Sequence, residues 1–330
     1  MRAPRIDIHS HFVPDFYRQA LLDAGHCRPD GINAIPEWSA RSALALMDEL
    51  NIRTSVLSIS SPGVHFGDPR AAAELARHVN DEGAHICATY PGRFGLFASV
   101  LAPEIDASVT ALRHALDTLH ADGIVLETNS HGMYLGNEAL EPLYAELHQR
   151  QSILFIHPTT PCGEDLALGY PKPMLEFMFD TTRSVTNMIL SGVLERYPDM
   201  KVIVPHAGAA LSVLANRIEL LLPLLTPPGQ PALPSVRSAL AQLHFDLAGA
   251  PIAELLGALM QVADIGKIHY GSDFPFTPAA ACVALSDRID ETPMLATPPR
   301  CACSPRIVVN SSTGHTQLDH PSAACTRTHT

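Results

Sequence analysis

The sequence predicts an α/β protein, specifically a (β/α)8 TIM barrel, and three observations carry that expectation. Eight short apolar runs recur along 330 residues, separated by stretches with apolar residues at helical spacing. Most of the runs are apolar almost without a break, as parallel strands buried on both faces are. Five side chains able to hold a metal stand at the C-terminal ends of four of these runs, the rim where such barrels do their chemistry. The competing architecture, an open doubly wound sheet, wants a glycine-rich turn after its first strand. This chain has His9-Ser10-His11-Phe12-Val13-Pro14 there.

The elements follow in order. The strand-like runs are 5–9, 54–60, 94–99, 123–127, 152–157, 201–206, 243–247 and 267–273. Helical spacing appears in 39–50, 69–86, 104–120, 138–150, 173–196, 207–224 and 251–264. Ser39 and Asp68 can accept from free helix N–H groups, and Pro69 suits a first helical turn. Residues 223–236 read as a proline-rich connection into the seventh strand. From Thr292 the periodicity fades into Pro, Cys, Ser and Thr. The expectation is one barrel domain over 1–290 and an atypical tail over 291–330, its last dozen residues poorly ordered.

Composition narrows the class. Hydrophobic content of 46% supports a sizeable core, and a formal net charge of −12 argues against nucleic acid or an anionic membrane as partner. No apolar run reads as long enough to span a bilayer, and no basic or apolar leader opens the chain. Strand-like sequence from Arg5 leaves no room for a removed segment. Seven scattered cysteines favour reduced thiols, so a cytoplasmic protein is expected. The Cys301/Cys303 pair has no second pair beside it, which leaves a structural zinc site short of ligands.

The first run ends in His9 and His11, which strand alternation points to one face. The fifth ends in His157 before Pro158, the sixth in His206 before Ala207-Gly208, and the eighth in Asp273 within Gly271–Phe276. A lone histidine at a strand end is more often packed than ligating. A full set gathered on one rim reads as a metal site, and histidines with a carboxylate suit Zn²⁺, with Mn²⁺ or Fe²⁺ also possible. The fourth run ends Glu127-Thr128-Asn129, without the lysine that bridges two metals in many barrel hydrolases. The chain's three lysines, Lys172, Lys201 and Lys267, all fall elsewhere. One metal is expected, with Glu127 as the alternative bridge to a second. His65, His78, His85, His114, His120 and His148 have no evident partners in sequence, and His269 reads as packed within its strand.

These motifs resemble those of the amidohydrolase-related decarboxylases, a family that includes aminocarboxymuconate-semialdehyde decarboxylase. The matching residues are Asp7-x-His9-x-His11, His157-Pro158, His206-Ala207-Gly208 and Gly271-Ser272-Asp273-x-Pro275-Phe276. Ile59–Val64 and Pro36–Ser39 are most similar to the 6-methylsalicylate decarboxylase branch. The resemblance, over about residues 5–290, implies an amidohydrolase-like barrel with a metal on His9, His11, His157 and Asp273. It implies His206 and Asp273 as the catalytic pair. Arg217 would grip a substrate carboxylate, in some members across a dimer interface, and Phe276 would pack on the ring. It further implies a homodimer acting on a small aromatic carboxylic acid, with 6-methylsalicylate going to 3-methylphenol (m-cresol) and CO2 in aromatic polyketide secondary metabolism. Two features depart from the family. An arginine that some members carry aligns with Ala43, leaving Arg41 as the substitute, and the tail lacks the final helix, with only Asn310 similar to the closing motif. The alternatives are a metal-dependent hydrolase of a lactone or amide, a hydratase, or a barrel that binds without catalysis.

Overall fold

The apolar runs form parallel strands, each hydrogen-bonded to the next in sequence order: β1 (Arg5–His11), β2 (Ile52–Ser58), β3 (Phe94–Ser99), β4 (Gly123–Glu127), β5 (Ile153–His157), β6 (Lys201–Val204), β7 (His244–Asp246) and β8 (Ile268–His269). The computed structural model describes residues 4–163, 167–229, 232–249 and 253–292, with the backbone of 307–310 and 315–318. Residues Asp7 and Ser10 bridge Tyr270 and Phe274, and this pairing closes the sheet on itself. The backbone N–H of Ile8 donates to Tyr270 O at 3.1 Å and that of His11 to Phe274 O at 2.7 Å. The result is a (β/α)8 barrel.

Between the strands run α1 (Asp15–Asp23), α2 (Ala40–Glu49), α3 (Pro69–Thr89), α4 (Ile105–Asp117), α5 (Glu141–Gln149), α6 (Glu176–Leu190), α7 (Val193–Arg196), α8 (Leu211–Leu225), α9 (Val236–Leu240), α10 (Ala253–Leu259) and α11 (Ala279–Asp290). Ser39 caps α2 in a reciprocal pair with Ser42, and Asp68 accepts from the N–H groups of Arg70 and Ala71 ahead of α3. The helical segment 173–196 is broken where Gly192 takes φ +76°, which divides it into α6 and α7. Three helices have no counterpart among the expected segments. In α1 only Tyr17 and Leu21 are buried, and α9 has five residues, so neither shows a full period. In α11 the buried side chains are Cys282 and Ser286, too small and polar to print an apolar stripe. The eighth strand is shorter than expected: a helical turn at Ile265–Lys267 precedes it, and past His269 only isolated bridges at Tyr270 and Phe274 continue the pairing.

Inside the barrel, Ile8, Val56, Phe97, Val125, Ile153, Phe155 and Ile203 pack into a dry plug. Each such side chain contributes about 1.5–3 kcal/mol by leaving water. Two larger clusters fill the layer between sheet and helices. Arg5 at the start of β1 donates to Ser286 at 2.6 Å and pairs with Asp290, which ties α11 across the barrel closure. One sequence expectation needs correcting: His206–Leu225 is long and apolar enough to cross a membrane by length and composition. Much of that apolar character is on the outside of the barrel wall, where Val213, Leu220, Leu224 and Leu225 are exposed. In the tail, Ile307–Asn310 pairs antiparallel with His315–Leu318, whereas Cys301 and Cys303 lie outside the described residues.

Candidate metal centre

The rim gathers what the strand ends deliver. The pairing of β1 with β2 shifts register between Asp7 and Ser10, and both His9 and His11 are fully buried above the plug. Phe155 meets the His9 ring edge-on, with centroids 5.0 Å apart. One donor atom each from His9, His11, His157 and Asp273 lie within 4.8 Å of one another. His11 Nε2 is 3.2 Å and His9 Nε2 3.6 Å from Asp273 Oδ1.

Each imidazole is oriented by an acceptor on its Nδ1 side. His9 Nδ1 lies 2.8 Å from Asp246 Oδ2, His157 Nδ1 lies 2.7 Å from Pro158 O, and His11 Nδ1 lies 3.0 Å from Ser58 Oγ. A neutral imidazole has one N–H. Spending it on Nδ1 leaves the Nε2 lone pair free to ligate. The Nε2 atoms of His9 and His11 are buried with no hydrogen-bond partner, a cost that a bound cation removes. The donor set and these orphaned atoms fit a divalent metal.

Charge in the protein groups alone agrees. Burial pushes His11 and His157 down to about 4, so both are neutral ligands at ordinary pH. Burial also opposes a cation on His9, but Asp246 and then Asp273 outweigh it and lift His9 to about 9. A metal must displace that proton. For Asp273, burial is overcome by the contact with His11 and the charge of His9, so its carboxyl stays well below the usual range. Asp7 is the brace behind the site. It accepts from Ser272 Oγ at 2.6 Å, Ser272 N–H at 3.1 Å and His9 N–H at 3.2 Å, while burial raises it to about 6.

His206 sits beside the cluster, its ring centroid 5.1 Å from that of His9 and its Nδ1 buried without a partner. Burial lowers it to about 4. Its backbone is left-handed at φ +55°, as are Ala207 at +54° and Asp273 at +58°. Such strain in non-glycine residues gathers at functional sites. Gly271 is required by closeness: a Cβ there would stand 2.9 Å from that of His9.

The remaining expected site residues divide. The ring of Phe276 meets His11 edge-on at 5.5 Å. Arg217 is exposed on α8, in a groove with Leu214, Ile218 and Leu221 of the same helix, away from the cluster in this chain. Arg41 is exposed on α2 and Ala43 is buried. Histidines without evident sequence partners prove to have them. His65 Nδ1 lies 3.0 Å from His131 Nε2, His78 stacks on Phe16 at 3.7 Å, and His148 accepts from the Asp199 N–H. Sequence reasoning missed Asp246, whose only signal was a lone acid at the end of a short apolar strand. It orients His9 and also accepts from the backbone N–H groups of His206 and Ala248. A cavity of about 450 Å³ opens among the loops after β2, β3, β4 and β5, and Glu127 lines it.

A barrel with this rim defines a metal-dependent enzyme of the amidohydrolase type. The sequence pattern of the Amidohydrolase family matches residues 6–299, and the chain belongs to that family. It is 38% identical over 299 residues to the 6-methylsalicylic acid decarboxylase of Aspergillus aculeatus, covering 87% of this chain and 89% of that one. It is 37% identical over 294 residues to a decarboxylase of Aspergillus niger, covering 84% and 78%. A crystal structure of an amidohydrolase superposes with a TM-score of 0.82 at 35% identity, over 88% of this chain and 94% of that one. Within the family, the chain stands among the decarboxylases.

Proposed function

We propose that this enzyme is a non-oxidative decarboxylase of an ortho-hydroxybenzoate, with 6-methylsalicylate the first candidate and 3-methylphenol and CO2 the products. The observation that carries the reading is the rim itself: three imidazoles turned Nε2-inward beside Asp273, with the unpartnered His206 next to them. The similarity to the Aspergillus aculeatus enzyme supports the choice of acid.

His9, His11, His157 and Asp273 hold the ion, with Zn²⁺ preferred and Mn²⁺ or Fe²⁺ alternatives for this donor set. When bound it supplies a Lewis acid and template for the carboxylate and phenolate oxygens. Direct loss of CO2 would leave an aryl carbanion, so the ring carbon bearing the carboxylate is protonated first. The ortho phenolate donates electrons into the ring as that C–H bond forms. His206 or Asp273 takes the proton the phenol loses and delivers it to that carbon. The C–C bond then breaks, its electron pair returns to the ring, and aromaticity is restored. Phe276 packs on the ring from the His11 side. No organic cofactor or oxidant enters this balance.

Arg217 and the exposed Val213, Leu220, Leu224 and Leu225 of α8 support a homodimer, in which the arginine reaches its substrate contact across the interface. The reading places the enzyme in the cytoplasm and in secondary metabolism. The test is to incubate zinc-loaded protein with 6-methylsalicylate and follow CO2 and 3-methylphenol. Both should form, vanish with a chelator and return with Zn²⁺. Hydrolysis of a lactone or amide with no CO2 from any hydroxybenzoate would favour the hydrolase alternative.

A further inference from the structure

One partly buried acid at the rim has no task in this chemistry. Glu127 ends β4, and its Oε2 is buried without a hydrogen-bond partner. Its only ion-pair neighbour among the described residues is His157, with Nδ1 at 3.4 Å. That contact does not satisfy it. The Nδ1 proton of His157 is already directed at Pro158 O, 2.7 Å away, and one N–H at that distance leaves little for an acceptor at 3.4 Å. Gly63 is pressed against the other oxygen: a Cβ at Gly63 would lie 3.3 Å from Glu127 Oε1. Tyr17 is close by but donates to Gly63 O at 2.7 Å.

A nearby acid shows what satisfaction looks like. Asp180 is fully buried, and Thr128, Asn129, Tyr134 and Arg183 all donate to it. Two of those donors are the next two residues after Glu127. The fold therefore supplies partners to one acid at this strand end and withholds them from the other. A buried acceptor left open in a native structure calls for a ligand that completes it.

The position of Glu127 says which ligand. It belongs both to the wall of the 450 Å³ cavity and, through His157, to the edge of the metal cluster. Val64, Val100, Val125 and Leu126 give that cavity apolar walls, and its volume falls within the roughly 300–1,000 Å³ of small-molecule sites. Glu127 thus joins this cavity to the metal rim, where an aromatic acid would be anchored. A methyl group meeting Glu127 would leave the carboxyl unpaired and strip it of water, whereas a hydroxyl in the same place would donate to it.

We propose that Glu127 is a substrate-contacting residue that selects ortho-hydroxybenzoates carrying a second hydroxyl on the ring. The proposal rests on the decarboxylase reading and deepens it. At the ring position that faces Glu127, the hydroxy acid is a better substrate than its methyl counterpart.

The test compares hydroxyl with methyl at positions 4, 5 and 6 of salicylate, using zinc-loaded wild type, Glu127→Leu and Glu127→Gln. Turnover gives kcat and KM, calorimetry gives Kd, and melting temperature and metal content are read for each protein. At one ring position the hydroxy acid should exceed its methyl partner by roughly tenfold or more in kcat/KM and in affinity. Glu127→Leu should erase or reverse that preference, and Glu127→Gln, still able to accept, should keep much of it. A hydroxyl-to-methyl ratio that Glu127→Leu leaves unchanged at every position would overturn the proposal, whatever its melting temperature. So would two metals per chain falling to one in Glu127→Gln, which would make Glu127 a ligand instead. If no acid releases CO2, the decarboxylase reading fails on its own, and the Kd ratios still decide the role of Glu127. Absence of binding by every acid would overturn it too.

Discussion

Two groups of histidines meet ring to ring in this barrel, and the fold treats them differently. Near the starts of β7 and β8, His244 Nδ1 and His269 Nε2 lie 2.9 Å apart with their rings stacked at 5.2 Å. Each is the other's partner. At the metal rim, His9 and His11 are fully buried, but their Nε2 atoms have no partner. Residue type is the same in both places, and His244 is buried like His9 and His11, with His269 partly buried. What differs is whether the fold completes the hydrogen bonding, and only the incomplete set has a carboxylate, Asp273, aimed into it. A buried histidine pair is therefore packing when it satisfies itself and a ligand set when it does not.

The largest expected effect tests the contrast directly. His157→Ala should lose metal and CO2 release together, whereas His269→Leu should retain both and alter only the melting temperature; metal analysis beside a CO2 assay reads the two. Full metal retention in His157→Ala would erase the distinction. Next, His206→Ala should keep its metal while turnover falls by roughly 10²–10⁴. Normal turnover would remove His206 from the proton chemistry. Smaller still, Asp246→Asn should weaken metal binding by about 10–100-fold, because the amide can present N–H to His9 Nδ1 and favour the wrong tautomer. Competition with a chelator measures this.

The smallest effect concerns the self-satisfied pair. Burial is the first cause holding His244 down to about 3 and His269 to about 4, with each other and Lys267 and Lys201 adding to the effect on His244, while Asp246 partly opposes it on His269. The unfolded chain takes up protons on both below about 6.5, while the folded pair stays neutral until near 4. Their neutral pairing thus contributes stability that is present above pH 6.5 and declines as pH falls towards 4. Thermal unfolding of chelator-treated protein between pH 7 and 4.5 should lose stability less steeply in His244→Gln than in wild type. Equal slopes would show that the pair is not responsible.

The barrel was legible in sequence because its signal is local. Each strand prints its own apolar run, each long helix its own period, and parallel order brings all C-terminal strand ends to one rim. That topology is enough to place His9, His11, His157, His206 and Asp273 together. The short or small-residue helices α1, α9 and α11 were not legible, because burial of two or three side chains leaves no period to detect. Asp246 was hidden for another reason. Its partner, His9, is 237 residues away, and no local pattern reports that distance closing. The same holds for the exposed place of Arg217 and the open oxygen of Glu127. Which residue types stand at the rim is written in the sequence. Whether a polar atom there is satisfied depends on every chain segment that arrives around it, and only the tertiary structure decides that.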